Sequence, residues 1–367
     1  MPAQFTDLVK DLPATVPFVG PENLERARGA VFAARLGANE NGFGPSKKAL
    51  DAMRAAAATT WQYADPENFD LKAKLAAHHG VAPANIVVGE GIDGLLGYLA
   101  RMFVEPGVSV VTSDGAYPTF NFHVNGFGGA LHKVPYRDDA EDPDALLGAA
   151  RRHGARLIYF SNPDNPMGSE HGPDDVSEMI ANVPESALLV LDEAYCEYSQ
   201  AGLVPLDVDN PNLIRFRTFS KAYGMAGARV GYGIGEASLI RAFDKIRNHF
   251  GMSRISVAGA LASLDDASHL DKILNRTAEA KARIAAVAAD HGLHALPSAT
   301  NFVTIDCGKD GDFARAVLAG LVERGVFVRM PGVAPMDRCI RVSVGPSNEL
   351  DVFEEMLPRA LMAAEAR

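Results

Sequence analysis

An α/β protein whose large domain is a mainly parallel sheet sandwiched by helices, joined to a smaller α+β domain, is what three features of this sequence predict. Short apolar runs of the kind buried on both faces recur at residues 86–88, 108–112, 157–161 and 187–191. Stretches of helical periodicity separate them, so strand and helix alternate from about residue 47 to 250. After residue 253 the pattern changes to long alanine-rich amphipathic stretches such as 271–290, then strand-like runs at 302–305 and 326–328. The expected division is an N-terminal arm at 1–45 that joins the small domain, a large domain at 46–252 and a small C-terminal domain at 253–367.

The run 86–88 leads into Gly89, Glu90, Gly91, Ile92, Asp93, Gly94 and then an apolar helix carrying Leu95, Leu96, Leu99 and Phe103. Glycines let the backbone close on an anion, and a helix N-terminus offers unpaired N–H donors, so Ile92 and Asp93 are candidates for a phosphate cradle. The loop lacks the Gly-x-x-x-x-Gly-Lys-Ser/Thr spacing, which argues against nucleotide hydrolysis. The second run ends near Tyr117, an aromatic that either stacks on a flat ligand or packs in the core.

The third run passes into Asn162, Pro163, Asp164, Asn165, Pro166, Met167, Gly168. Two prolines and a glycine stiffen that turn and hold the Asn165 amide still. The fourth delivers Asp192, Glu193, Ala194 and Tyr195 at its C-terminal end, where ligands of open α/β sheets collect. Asp192 is either a helix N-cap or a partner for a protonated ring nitrogen.

Thr218, Phe219, Ser220, Lys221, Ala222, Tyr223, Gly224, followed by Arg229, decides between these readings. A lysine beside a hydroxyl and an arginine that can grip two phosphate oxygens is the setting for pyridoxal 5'-phosphate held as a Schiff base on Lys221. Asp192 then keeps the pyridine ring an electron sink, while Asn165 and Tyr195 donate to its phenolic oxygen. Nearer the C-terminus, Arg329 follows a strand-like run and Arg341 lies between β-branched residues. An arginine in such surroundings is expensive to bury unless an anion meets it.

In this order the motifs resemble those of fold type I pyridoxal-phosphate aminotransferases, and the chain is most similar to the histidinol-phosphate aminotransferase family. The resemblance runs from about residue 39 to 345. It includes Asn39, Glu40, Asn41, Gly42, Phe43, Gly44, Pro45 near the start and Cys339, Ile340, Arg341, Val342, Ser343, Val344, Gly345 near the end. It implies that Lys221, Asp192 and Tyr195 are catalytic and that Tyr117 lies against the cofactor ring. Ser220, Arg229, Ile92 and Asp93 would hold its phosphate, with Asn165 on the phenolic oxygen. Tyr63 would reach the phosphate of a second subunit, so that a homodimer completes each site.

By the same resemblance Asn41, Phe18, Arg329 and Arg341 face the substrate. The reaction implied is ping-pong transfer from a small L-amino donor to a 2-oxo acid such as 2-oxoglutarate. Four positions depart from the pattern. Phe18 stands where these enzymes often carry a tyrosine that meets the substrate phosphate, Gly94 replaces an acidic residue, and Asp164 and Met167 replace Asn and Thr. The best reading of the donor is histidinol phosphate. Aromatic amino acids are the alternative, and a decarboxylase of the same fold is a third.

Composition excludes other classes. A chain of 367 residues, 47% apolar, can bury a large core, and its net charge of −11 would repel a nucleic-acid backbone. Cys196, Cys307 and Cys339 have no metal-ligand spacing, and an odd count does not suggest a disulfide framework. No metal site is expected. Residues 1–10 lack a basic segment followed by an apolar core, and no apolar run is long enough to cross a membrane, so the expected location is the cytoplasm.

Overall fold

The computed structural model describes residues 3–14 and 19–366, so Phe18 lies outside the described residues. Among the described residues twelve strands follow in chain order: β1 Ala34–Arg35, β2 Ile86–Gly89, β3 Ser109–Ser113, β4 Ala130–Val134, β5 Leu157–Ser161 and β6 Leu188–Asp192. Then come β7 Leu213–Thr218, β8 Gly231–Gly235, β9 His294–Ala295, β10 Phe302–Asp306, β11 Val326–Phe327 and β12 Cys339–Ser343.

Seven of them form one sheet in the order β2-β8-β7-β6-β5-β3-β4. Neighbours are parallel except where β8 runs against both β2 and β7. The near-continuous apolar composition of β5 and β6 follows from this position, since helices cover both faces. Leu157, Tyr159, Val190 and Phe216 pack with the helix Gly91–Phe103 on one face, and Ile158, Phe160, Leu189 and Leu191 with the helix Pro143–His153 on the other. Parallel pairing puts the C-terminal ends of β5, β6 and β7 side by side. Ser161 is in register with Asp192, and Asp192 with Phe216.

The second layer is smaller. An antiparallel β12-β10-β9 sheet and the parallel pair β1-β11 share a core with the helices Ala267–Asp290, Gly311–Glu323 and Ser347–Glu365. Ala34 and Leu36 belong to that core, so the N-terminal segment is tied to the C-terminal third of the chain. The helix Arg254–Leu264 departs from the expected division at residue 252. It packs on the helices Lys47–Ala57 and Phe69–His79, and Ala260 shares a cluster with Ile86, Val88 and Phe219 of the large sheet. The change of packing therefore falls about the turn at 265–266, at the start of the 24-residue helix Ala267–Asp290.

Candidate active site

Lys221, Asp192, Tyr195, Tyr117, Asn165, Ile92, Asp93, Ser220 and Arg229, drawn from five separate stretches of sequence, line one cavity at the C-terminal edge of the sheet. Each side chain is held by its own local structure. Lys221 follows β7, and its Nζ donates to the backbone oxygen of Asn39 at 3.1 Å. Burial pulls its amine down to about 8, helped by the positive charges of Arg341 and Arg229 and opposed by Asp93 and Glu40. A larger neutral fraction at physiological pH makes it a competent nucleophile.

Asp192 is 4% exposed at the end of β6. It accepts from the Tyr159 hydroxyl at 2.6 Å and from the Ala194 N–H at 3.0 Å. Burial raises its carboxyl to about 6 and the Tyr159 hydrogen bond opposes that rise, so the group is mostly ionised at neutral pH. The Tyr195 hydroxyl accepts from Asn39 Nδ2 at 2.9 Å, which leaves its own proton to be donated. Burial pushes that hydroxyl well above the usual phenol range, so it serves as a donor and never as an anion.

The anion cradle is built from backbone and two side chains. Glu90 precedes the helix Gly91–Phe103 with no side-chain cap, so the first-turn N–H groups at Ile92 and Asp93 have no protein acceptor from a cap. Arg229, in left-handed conformation at φ 54°, points its Nη1 at Ser220 Oγ at 3.4 Å and its Nη2 at Asp93 at 3.6 Å. Ser220 in turn lies 2.9 Å from the Thr218 hydroxyl. Gly91 lies at φ +76°, a conformation that other residues rarely adopt, and a Cβ there would also displace the Arg229 guanidinium. Tyr117 closes the opposite side, its hydroxyl donating to Asp93 at 2.8 Å.

A second cavity adjoins the first and shares Tyr117, Asn165 and Lys221 with it. Arg329, Arg341, Lys133 and Lys221 line it, and no carboxylate does among the described residues. Arg341 leaves β12 to donate through Nη1 to Asn165 Oδ1, and its Nε is buried without a partner. Burial lowers its guanidinium to about 10. Arg329 is paired with Arg341 through the backbone at 2.6 and 3.2 Å, and its Nη2 donates to the Val19 oxygen at 2.7 Å. Lys133 is paired with Asp114 at 3.0 Å, so the unmet donor of this cavity is the buried Nε of Arg341, which an incoming anion would satisfy.

One expected residue sits elsewhere. Asn41 lines neither cavity: its Nδ2 donates to the Ala222 oxygen at 3.1 Å and its Oδ1 accepts from the Phe43 N–H at 3.0 Å. Its amide is spent on bracing the loop that carries Lys221. Asn39, which sequence reasoning did not single out, takes the place at the cavity, reaching Lys221, Tyr195 and Ser343. Tyr63 is 78% exposed and packs on Phe250, away from both cavities of its own chain. Tyr159 is the other residue missed; its only sequence signal is a hydroxyl inside an apolar strand, which must find a partner when buried.

Among the described residues no group of acids, histidines and cysteines could hold a metal ion. No helix there is long and apolar enough to cross a membrane.

Comparison with known proteins identifies the family. A family model described as aminotransferase class I and II matches residues 34–357. The histidinol-phosphate aminotransferase 2 of Ralstonia nicotianae is 37% identical over 347 residues, covering 94% of this chain and 91% of its own length. The chain belongs to the histidinol-phosphate aminotransferases. The corresponding enzyme 2 of Pseudomonas aeruginosa is 34% identical over 364 residues, 96% of each chain. A crystal structure of histidinol-phosphate aminotransferase from Sinorhizobium meliloti, in complex with pyridoxal-5'-phosphate, superposes with a TM-score of 0.96 at 55% identity over 98% of each chain. The expected fold type I architecture is thereby established. The residues of the first cavity fit the same cofactor: an amine, an acid for the ring nitrogen, two donors for the phenolic oxygen and an uncapped helix start beside Arg229 for the phosphate.

Proposed function

We propose that this enzyme takes the amino group of L-histidinol phosphate and passes it to a 2-oxo acid such as 2-oxoglutarate. The observation that carries the donor assignment is the second cavity, where Arg341, its buried Nε without a partner, and Arg329 line a space beside the Lys221 amine that no carboxylate lines among the described residues. A donor carrying a phosphate dianion meets that field better than one carrying a single carboxylate, and far better than a neutral side chain.

Pyridoxal phosphate, when bound, supplies a ring that accepts the electron pair left when the donor's α-proton departs. The Ile92 and Asp93 N–H groups, Ser220 and Arg229 would hold its phosphate, Asp192 its ring nitrogen, and Asn165 and Tyr195 its phenolic oxygen. Lys221 carries the cofactor between turnovers. Once released, the same amine is placed to take the donor's α-proton and return it to the acceptor's carbon, and burial keeps it neutral enough to do so. Arg341 and Arg329 orient the donor by its anionic group so that the α-proton faces Lys221.

We further infer a cytoplasmic homodimer in which Tyr63, exposed here with Trp61, Phe69 and Phe250, reaches the phosphate cradle of the partner subunit. The test of the donor assignment is formation of glutamate from 2-oxoglutarate, with L-histidinol phosphate or L-phenylalanine as the amino source. The assignment requires turnover with histidinol phosphate at a kcat/KM well above that for phenylalanine. The reverse order would overturn it.

A further inference from the structure

Next to Asn165 in the Pro-rich turn, Asp164 belongs to a buried pair of carboxyl groups to which the reaction above gives no part. Glu141 is 1% exposed and Asp164 2%. The two carboxyls lie close enough to interact directly. Each of the four carboxyl oxygens accepts one bond from elsewhere in the protein. Glu141 accepts from the Ser113 hydroxyl at 2.6 Å and the Ser161 N–H at 3.0 Å. Asp164 accepts from the Tyr136 hydroxyl at 2.8 Å and the Met167 N–H at 2.9 Å.

Two carboxylates in such contact in a dry interior repel, whereas a single proton between them turns the contact into a strong hydrogen bond. The surroundings favour one proton. Arg341 is the cation that acts on Asp164, while the other ionisable neighbours, Tyr136 and Tyr159, are phenols, and the His171 ring bonds the Glu141 backbone oxygen rather than its carboxyl. One net negative charge facing one arginine is the balanced state.

The pair ties together pieces of chain that otherwise meet only at the cavity. Ser113 ends β3, Ser161 ends β5, and Asp164 lies within the Pro-rich turn, where its backbone also bonds Ser169 at 2.8 Å and Gly168 at 3.2 Å. Asn165 is the next residue, and its Oδ1 accepts from Arg341. Asp164 is also one of the positions at which this chain departs from the pattern it resembles, with Asn the more usual residue. An Asn could donate to Glu141 and satisfy the same partners without any shared proton.

We propose that Glu141 and Asp164 share one proton and that Asp164 is a positioning residue, anchoring the turn that presents Asn165 and, through Asn165, setting the Arg341 guanidinium for the donor's anionic group. The second half of this statement rests on the donor reading above; the first does not. The test uses cofactor-loaded wild type, Asp164→Asn, Asp164→Ala and Glu141→Gln. Infrared spectra at neutral pH should show a protonated-carboxyl stretch in the wild type that is lost from both Asp164→Asn and Glu141→Gln. A band unchanged in both variants would overturn the shared proton.

For positioning, Asp164→Ala should raise the KM for histidinol phosphate about tenfold or more, the equivalent of one charge-assisted hydrogen bond, with kcat less affected, while Asp164→Asn stays near wild type. Equal KM values for the Ala and Asn variants would overturn it. If Asp164→Ala does not fold, Tyr136→Phe removes one anchor without loss of ring volume and should move KM in the same direction; an unchanged KM there would overturn positioning as well. A wrong donor assignment would show as no turnover by the wild type and would leave the infrared result standing.

Discussion

Replacing Tyr159 by Phe removes a single hydroxyl, and the structure says where the effect must appear. That hydroxyl donates to Asp192 at 2.6 Å with both groups buried. A hydrogen bond to a charged group is worth about 1.5–3 kcal/mol, which corresponds to a rise of about one to two pKa units in the carboxyl it stabilises. Asp192 starts at about 6, raised by burial. In Tyr159→Phe it would titrate at about 7–8, so its ionised fraction at pH 7 falls from about nine-tenths to between about a half and a tenth. The sign is fixed because an acid with a raised pKa keeps its charge above that pKa and loses it as pH falls. The assay is the affinity of the apoprotein for pyridoxal phosphate as a function of pH. The variant should bind about two- to tenfold more weakly at pH 7 and approach wild type above about pH 9. An acid limb that superposes on the wild type, or a loss of the same size at every pH, would refute the link between Tyr159 and the charge of Asp192.

Other perturbations follow from the same geometry. Lys221→Ala should abolish turnover with the fold retained, checked by glutamate formation and circular dichroism; an active variant would refute its role. Arg341→Ala removes a positive charge that lowers the Lys221 amine, so in the apoprotein that amine should titrate above its present value of about 8, read from the pH dependence of acylation at Lys221. Glu193→Ala strands two buried guanidiniums, Arg215 at 3.4 Å and Arg217 at 2.7 Å, and should cost about 3–5 kcal/mol in denaturant unfolding. Gly224→Ala would place a Cβ 2.6 Å from the Gly44 carbonyl at φ +69°, and should lower stability by about 1–3 kcal/mol, visible as a fall in Tm.

Much of the site was legible because its residues lie at strand ends. An apolar run followed by Asp192, or by Ser220 and Lys221, already says which end of the sheet the side chain occupies. The choice between Asn39 and Asn41 was not legible. It turns on a left-handed backbone at Asn39, φ 53°, and on Tyr195, 156 residues away in sequence. The Tyr159–Asp192 bond depends likewise on the register of β5 against β6, which no local pattern encodes. The helix Arg254–Leu264 was assigned to the small domain because its Ala-rich composition matches the helix after it. Its packing on Lys47–Ala57 involves close approach at Gly259, where a Cβ would meet Met53 and Met225 at 2.8 Å. The glutamate of the buried carboxyl pair sits in a loop with no motif around it, and only the fold brings Glu141 to Asp164.

The donor is the centre of the account, and the half-reaction isolates it from the acceptor. Cofactor-loaded protein mixed separately with L-histidinol phosphate, L-phenylalanine and L-aspartate should lose the visible absorption of its bound cofactor rapidly with histidinol phosphate and slowly or not at all with the other two. Rapid loss with phenylalanine and none with histidinol phosphate would contradict it, and would make the two arginines of the second cavity a site for some other anion.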